Sequence, residues 1–187
     1  MSSTRANIHA SADVAESAVI PDSTRIWHYA QVREDAELGE NCIVGRGAYI
    51  GTGVVMGDNC KVQNYALVYE PATLGDGVFI GPAVVLTNDH FPRAVNPDGS
   101  PKSAHDWEPV GVDIREGASI GASATCVAPV VIKDVPDFAI VVGSPARRVG
   151  WAGRAGEPLT ETEPGVWTCP VTNARYRQVD ADRLEEE

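Results

Sequence analysis

Residues 38–62 read LGENCIVGRGAYIGTGVVMGDNCKV, and an apolar residue returns at every sixth position of this stretch. Val44, Ile50, Met56 and Val62 hold four of these positions. The same step extends in both directions without a break. The complete run is Ile8, Val14, Ile20, Ile26, Val32, Leu38, Val44, Ile50, Met56, Val62, Val68, Leu74, Ile80 and Leu86. A run of this length identifies a structural repeat.

A second position of the repeat, four residues after each apolar one, holds no residue larger than Val. These residues are Ala12, Ala18, Thr24, Ala30, Ala36, Cys42, Ala48, Val54, Cys60, Ala66, Ala72, Val78 and Val84. Glycine follows the apolar residue directly at Gly39, Gly45, Gly51, Gly57, Gly75 and Gly81. We expect each apolar residue to point inward from a short strand and each small residue to fit at a corner. Glycine suits a bend with positive φ or a close backbone approach.

A six-residue period fits neither an amphipathic helix nor a coiled coil. It is typical of a solenoid of short parallel strands, in which three hexads form one turn of a triangular prism and coils stack at about 4.8 Å. The sequence therefore predicts an all-β fold. Cys42 and Cys60 lie 18 positions apart, and we expect them to stack as core thiols at equivalent corners of adjacent coils.

The hexad pattern breaks once and then returns. Residues 91–113 contain four prolines and no hexads, which predicts an excursion loop, and loops on a rigid scaffold often carry function. The six-step resumes at Ile114, Ile120 and Cys126, and we expect the prism to end within residues 131–137. This organisation predicts a β-helix domain over residues 1–149 with the excursion loop at 91–113. A C-terminal extension follows over residues 150–187, and we expect it to be part helix and part irregular.

Composition limits the possible partners. The 187 residues correspond to about one domain. The 15 basic and 26 acidic residues give a net charge of −11, which argues against nucleic acid as a partner. The apolar stretches are too short for a membrane span. Four cysteines without a CxxC motif, and no cationic-apolar leader after Met1, indicate a reduced, cytoplasmic protein.

The hexads over residues 8–150 resemble those of the left-handed β-helix, hexapeptide-repeat acyltransferases, which move acyl groups from acyl-CoA or acyl carrier protein. The resemblance implies a left-handed parallel β-helix. Handedness follows from the resemblance alone, because parallel crossovers are normally right-handed. It also implies a homotrimer with active sites between subunits.

Four stretches resemble one branch of this family, the UDP-2-acetamido-3-amino-2,3-dideoxyglucuronate N-acetyltransferases. They are residues 26–28 (IWH), 61–64 (KVQN), 77–82 (GVFIGP) and 86–93 (LTNDHFPR). This resemblance implies transfer of acetyl from the cosubstrate acetyl-CoA to the amine of a nucleotide-linked 3-amino sugar in surface polysaccharide synthesis. The chain departs from the family after Cys126, where most of one coil is absent. In the family, such coils help to line the pantetheine channel.

Acyl transfer to an amine requires a neutral amine near the thioester and donors for the developing oxyanion. The Asn88 amide oxygen can orient an amine, and the resemblance places this residue beside the reacting nitrogen. Alternatively, Asn88 is a turn residue that closes its hexad. His90 stands at a position that is otherwise small, so we expect it to face the loop. There it is either a general base for a hydroxyl acceptor or a solvated histidine.

Further candidates are binding residues. His28, Gln63, Asn64 and Arg93 are candidates for substrate contact, and a surface or subunit-interface role is the alternative for each. The segment 142–147 (VGSPAR) resembles the family's ending beside the CoA nucleotide. It contributes the cofactor-binding candidates Gly143, Ser144, Pro145, Ala146 and Arg147.

We expect no metal site. The four histidines, His9, His28, His90 and His105, do not form the close pairing of a three-histidine site. Cys169 stands alone in a tail where some relatives carry paired cysteines. Two other functions stay open: a sugar O-acetyltransferase with His90 as base, and a noncatalytic trimeric scaffold.

Overall fold

The computed structural model describes residues 7–89, 92–127, 135–142 and 147–187. Every regular element in these ranges is a strand. They contain no helix that could span a membrane. The repeat forms β1 (Asp13–Val14), β2 (Arg25–Ile26), β3 (Gln31–Val32), β4 (Glu37–Leu38), β5 (Ile43–Val44), β6 (Tyr49–Ile50), β7 (Val55–Met56), β8 (Lys61–Val62), β9 (Leu67–Val68), β10 (Thr73–Leu74), β11 (Phe79–Ile80), β12 (Val85–Thr87), β13 (Asp113–Ile114), β14 (Ser119–Ile120), β15 (Thr125–Val127), β16 (Ala139–Val142) and β17 (Arg147–Trp151).

These strands build the three faces of a solenoid. Sheet 1 has the order β1-β3-β6-β9-β12-β15, sheet 2 the order β4-β7-β10-β13, and sheet 3 the order β2-β5-β8-β11-β14-β16-β17. All neighbours are parallel except β16 and β17, which are antiparallel. Val44 pairs with Val62, so one coil takes 18 residues, as the sequence predicts. The excursion loop leaves after β12, and the chain returns to sheet 2 at β13.

The solenoid extends further than the hexad pattern. Val135 bridges to Ile114 on sheet 2, and Val141 pairs with Ile120 on sheet 3. The offset between Ile120 and Val141 is 21 residues instead of 18, which moves the repeat out of register. The expectation that the prism ends within residues 131–137 was therefore wrong.

The inward positions of the repeat form the core. Val44, Ile50 and Val62 are fully buried at the apolar position, and Ala30 and Ala66 at the small position. Cys42 and Cys60 are also fully buried, and all four cysteines are free. The predicted core and the predicted core thiols are confirmed.

The corners use glycine for close approach. A Cβ atom added at Gly81 would lie 2.7 Å from Ala122 N and 2.7 Å from Ile120 O. Positive φ occurs two residues after these glycine positions instead. The residues there are Tyr29, Asp35, Asn41, Gly47, Gly53, Asn59, Tyr65, Gly77, Ala83, Gly117 and Ser123. Of the two reasons considered for glycine after the apolar residue, close backbone approach is the one that applies.

The C-terminal extension is a separate antiparallel sheet. It consists of β18 (Thr160–Glu163), β19 (Val166–Thr168), β20 (Arg175–Asp180) and β21 (Arg183–Glu186), in that spatial order. The expectation of partly helical structure was wrong, because alternate side chains of these strands are buried: Val166, Tyr176 and Leu184. The expected boundary between residues 149 and 150 falls inside β17.

Candidate active site

Asn88 lies where sheet 1 ends and the excursion loop begins. Its side chain is nearly buried, with 9% of the residue exposed. Asn88 Nδ2 donates to the backbone oxygen of Glu70, one coil below, at 2.6 Å. The backbone oxygen of Asn88 accepts from the N–H of Val110 at 2.9 Å, where the loop returns. Both ends of the loop are therefore held at this residue.

The position of Asn88 in its hexad is also that of Asp58, Asn64 and Asp76. Each of these three residues accepts a backbone N–H of the coil below through its Oδ1 atom, at 2.7–2.9 Å. Asn88 instead donates to a carbonyl. Since Nδ2 faces Glu70 O, the amide oxygen is directed away from that carbonyl. Asn88 thus makes a turn contact and keeps the acceptor oxygen that the amine hypothesis requires.

Two polar atoms beside Asn88 are buried without a hydrogen-bond partner in the described structure. They are Glu70 Oε2 and Thr87 Oγ1. Burial, followed by the negative charge of Glu70, raises the pKa of the hydroxyl of Tyr49 on sheet 1. Unsatisfied buried polar atoms are costly and unusual, so this corner departs from the otherwise well-paired repeat.

Two candidate residues, His90 and Arg93, lie close to Asn88 in the sequence, at the start of the excursion loop. Arg93 is exposed at the start of the loop. Lys102 Nζ lies 3.9 Å from Asp89 Oδ2 and so connects the loop to its base. His90 lies outside the described residues, so its expected orientation toward the loop stays a prediction.

His28 follows β2 at the corner after sheet 3. Its ring stacks on His9, with centroids 3.4 Å apart and an interplanar angle of 24°. Trp27 and Tyr29 flank it with centroids at 6.2 and 6.4 Å. The sequence did not predict this histidine pair, because corner residues 19 positions apart face each other only once the coils are stacked. Within the described ranges, no group of three metal-ligating side chains is present.

Gln63 and Asn64 share the corner of His28, two coils further along. Asn64 Oδ1 accepts the backbone N–H of Arg46 at 2.9 Å, which is a turn contact. Asn88 and Arg93 therefore belong to the corner after sheet 1, and His28, Gln63 and Asn64 to the corner after sheet 3. A single chain does not bring the two groups into one site.

The candidates for CoA binding lie at the end of the solenoid. Gly143, Ser144, Pro145 and Ala146 are outside the described residues. Arg147 begins β17 and is exposed. Beside it, the guanidinium of Arg148 lies 4.2 Å from the centroid of the Trp151 ring.

A cavity of about 740 Å³ lies elsewhere, between the outer face of sheet 3, the corner after sheet 2 and residues 152–156. Its walls include Lys61, Phe79, Phe138 and Arg154. None of the candidate site residues lines it, but Lys61 and Phe79 belong to the stretches 61–64 and 77–82 that resemble the N-acetyltransferase branch. The repeat pattern did not predict a cavity here, because its recess is formed by glycines and its rim by the extension.

Comparison with known proteins is consistent with the repeat. Residues 17–52 and 53–88 match the family described as bacterial transferase hexapeptide (six repeats). These 72 of the 187 residues carry the hexapeptide repeat. The parallel solenoid agrees with the β-helix predicted from this repeat, so the predicted fold class is confirmed.

Similar proteins include acyltransferases. A serine acetyltransferase of Synechococcus elongatus is 28% identical over 160 residues, which is 84% of this chain and 58% of that protein. The chain spans less than two thirds of the length of the curated relatives it matches.

Two solved structures share the fold. One is a mutant of perosamine N-acetyltransferase from Caulobacter crescentus in complex with CoA and GDP-perosamine, at 19% identity and a TM-score of 0.57, covering 76% of this chain and 55% of that one. The other is a mutant of AntD, an N-acyltransferase from Bacillus cereus in complex with dTDP and coenzyme A. It is 17% identical with a TM-score of 0.59, covering 79% of this chain and 81% of that one.

Proposed function

We propose that the protein is an acetyl-CoA-dependent N-acetyltransferase that acts on the amine of a nucleotide-linked 3-amino sugar in surface polysaccharide biosynthesis. The observation that carries the proposal is Asn88, a nearly buried amide fixed at the base of the excursion loop. The neighbours of known structure support it, since both are N-acyltransferases crystallised with CoA and a nucleotide or nucleotide sugar.

In this proposal, Asn88 positions the acceptor amine. Its Nδ2 is held by Glu70 O, so Oδ1 accepts a hydrogen bond from the amine and directs the nitrogen lone pair toward the thioester. An amine carries its own lone pair and needs no strong base. The nitrogen attacks the thioester carbonyl, the tetrahedral intermediate collapses, and CoA leaves as the thiol after taking up the amine proton.

The nucleotide sugar would contact residues of both corners. Arg93 pairs with a phosphate or carboxylate through charge-assisted hydrogen bonds. His28, Gln63 and Asn64 contact the remainder of the nucleotide sugar from a second copy of the chain. Residues 143–147 hold the CoA nucleotide. Residues 1–149 form the acyltransferase unit and residues 150–187 the extension.

A homotrimer completes the site in this proposal, since the two groups of candidates lie on different corners of one chain. The corner of His28 also exposes large aromatic side chains, with 47% of Trp27, 63% of Tyr29 and 56% of Tyr65 accessible. Aromatic residues of this kind are enriched in protein interfaces. A cytoplasmic location is part of the proposal and is supported by four buried free thiols.

The test is acetyl-CoA-dependent thiol release with UDP- and dTDP-linked 3-amino sugars. We expect release that requires the amino sugar and falls by about a hundredfold or more in Asn88→Ala, since the positioning of the nucleophile is lost. Asp58→Ala is the matched control, because it removes a turn contact at the same hexad position on another corner. Equal loss in both variants would show that Asn88 is only a turn residue.

An O-acetyltransferase is the second candidate, and the serine acetyltransferase relative favours it. The same assay with hydroxyl acceptors distinguishes it, since release with an alcohol and not with an amine would assign the chemistry to oxygen. A hydroxyl must lose its proton during attack, so this function would require a base such as His90. No release with any acceptor, from folded protein, would favour the noncatalytic scaffold.

A further inference from the structure

The cavity beside the extension owes its shape to one column of corner residues. Asn59, Gly77, Gly117 and Phe138 lie one above another at the corner after sheet 2, and all four have positive φ. The Phe138 ring covers Gly117, where an added Cβ would lie 3.0 Å from two ring carbons. An added Cβ at Gly77 would meet only Gly117 Cα, at 4.0 Å. We call the open space at Gly77 the glycine recess.

The same molecule shows what fits over such a glycine. At the corner after sheet 3, the ring of Tyr65 lies over Gly47, 2.7 Å from the position of an added Cβ. In both columns a ring from the next coil fills the place of the missing side chain. Above Gly77, the next coil has Gly117, which carries no side chain. The glycine recess is therefore one coil high, and no ring of the chain fills it. One coil spacing, about 4.8 Å, accommodates the thickness of one planar ring.

The wall beside the recess combines an aromatic ring with a cation. Lys61, Phe79 and Ser119 are paired neighbours on the outer face of sheet 3. Phe79 is 38% exposed. Lys61 forms no ion pair with any residue that the structure describes. An ammonium next to an exposed ring suits a ligand with a planar ring and an anionic group.

The corner side of the cavity supplies carboxylates. Asp76 and Glu116 both line it. Asp76 Oδ1 accepts the N–H of Asp58 at 2.8 Å, and Glu116 Oε1 lies 3.2 Å from Arg154 Nη1. Each carboxylate has a second oxygen that can accept a hydrogen bond. Acceptors at this edge favour a ring that carries an amino group.

We propose that this cavity is a nucleotide-binding site, with an amino-bearing base in the glycine recess and the phosphate at Lys61. A volume of about 740 Å³ is within the range of small-molecule sites. Within one chain, the site lies on a different corner from Asn88. The nucleotide could belong to CoA, to a nucleotide sugar or to a free effector, and all three share this chemistry.

The test is calorimetric titration of the full chain with adenosine monophosphate. We expect saturable binding of one molecule per chain. Uridine monophosphate, whose base has no amino group, should bind about tenfold more weakly. Gly77→Asn should weaken binding of adenosine monophosphate by at least about tenfold, because Asn tolerates positive φ and its side chain fills the recess. No saturable binding to the wild type, or undiminished binding to Gly77→Asn, would overturn the proposal.

Gly53→Asn is the matched control for the backbone. Gly53 has a φ of +63° and no atom within 4 Å of an added Cβ, but lies on another corner. Lys61→Met is a second variant that does not disturb the corner. It should weaken binding of adenosine monophosphate severalfold and leave binding of adenosine unchanged, and equal effects on both ligands would contradict the phosphate assignment.

Competition experiments identify the source of the nucleotide, and binding to Asn88→Ala distinguishes this proposal from the proposed function. Competition by CoA would assign the site to the cosubstrate, competition by UDP to the sugar donor, and competition by neither to a free effector. Asn88→Ala should bind adenosine monophosphate normally. If thiol release fails with every acceptor while this binding persists, the proposed function is wrong and the nucleotide site stands.

Discussion

A Cβ atom added at Gly81 would meet Ala122 N, Ile120 O and Gly121 C within 2.7–2.9 Å. All three are backbone atoms of the adjacent coil, so no side-chain rotation can relieve the contact. Gly81→Ala should therefore separate the coils locally and lower the free energy of unfolding by about 2–3 kcal/mol. Thermal or denaturant unfolding measures this loss.

Gly150→Ala is the comparison for that prediction. Gly150 lies in β17 with no atom within 4 Å of an added Cβ, and its φ is not positive. We expect a change within about 0.5 kcal/mol there. If the two alanine variants unfold alike, close approach between coils is not what requires glycine at this position.

One column of corner residues forms side-chain hydrogen bonds between coils: Thr24, Cys42 and Cys60. They occupy one corner position in successive coils, and each donates to a glycine carbonyl of the next coil. Thr24 Oγ1 lies 2.8 Å from Gly39 O, and the sulfurs of Cys42 and Cys60 lie 3.1 Å from Gly57 O and Gly75 O. These thiols act as small, weakly donating core residues.

At the scale of elements, the sequence predicted the solenoid well because every coil repeats one environment. An apolar inward residue recurs fourteen times and a small corner residue thirteen times, so chance agreement is excluded. The extension offers no such repetition, and its strands are predominantly polar at β18 (TETE), so the sheet was missed. The His9–His28 pair and the glycine recess were missed for a related reason. Both depend on which residues face each other between coils.

Tyr176 packs the extension against the solenoid with its ring and stabilises the extension with its hydroxyl. Tyr176 is fully buried, its hydroxyl accepts the N–H of Arg154 at 3.0 Å, and its ring meets Phe138 edge-on at 5.6 Å. Burial raises the pKa of Tyr176, so the hydroxyl stays protonated at neutral pH. Tyr176→Phe should cost about 1–2 kcal/mol, because an N–H loses its acceptor.

Arg154→Met is the informative comparison at this junction. It removes ion pairs with Glu116 and Glu186, but 61% of the Arg154 side chain is exposed. Exposed pairs contribute little, so we expect a loss below about 1 kcal/mol. Hydrogen exchange of the extension measures both variants. A larger effect of Arg154→Met than of Tyr176→Phe would mean that the ion pairs stabilise the extension more than the hydroxyl does.

At the scale of the whole molecule, the separation of the two candidate corners becomes a test of assembly. If each site combines Asn88 of one chain with Gln63 of its neighbour, Asn88→Ala and Gln63→Ala chains complement each other when they are mixed. In a cyclic trimer, random mixing places both native residues at roughly a quarter of the sites. We therefore expect the mixture to recover about that fraction of wild-type thiol release, although each variant alone is impaired.

The control mixes Asn88→Ala chains with chains that carry both Asn88→Ala and Gln63→Ala. No site then has both native residues, so this mixture should restore no activity. If the two single variants also restore nothing, after co-expression and recovery as one mixed assembly, Asn88 and Gln63 do not share a site across subunits. The candidates on the sheet 3 corner would then belong to an interface.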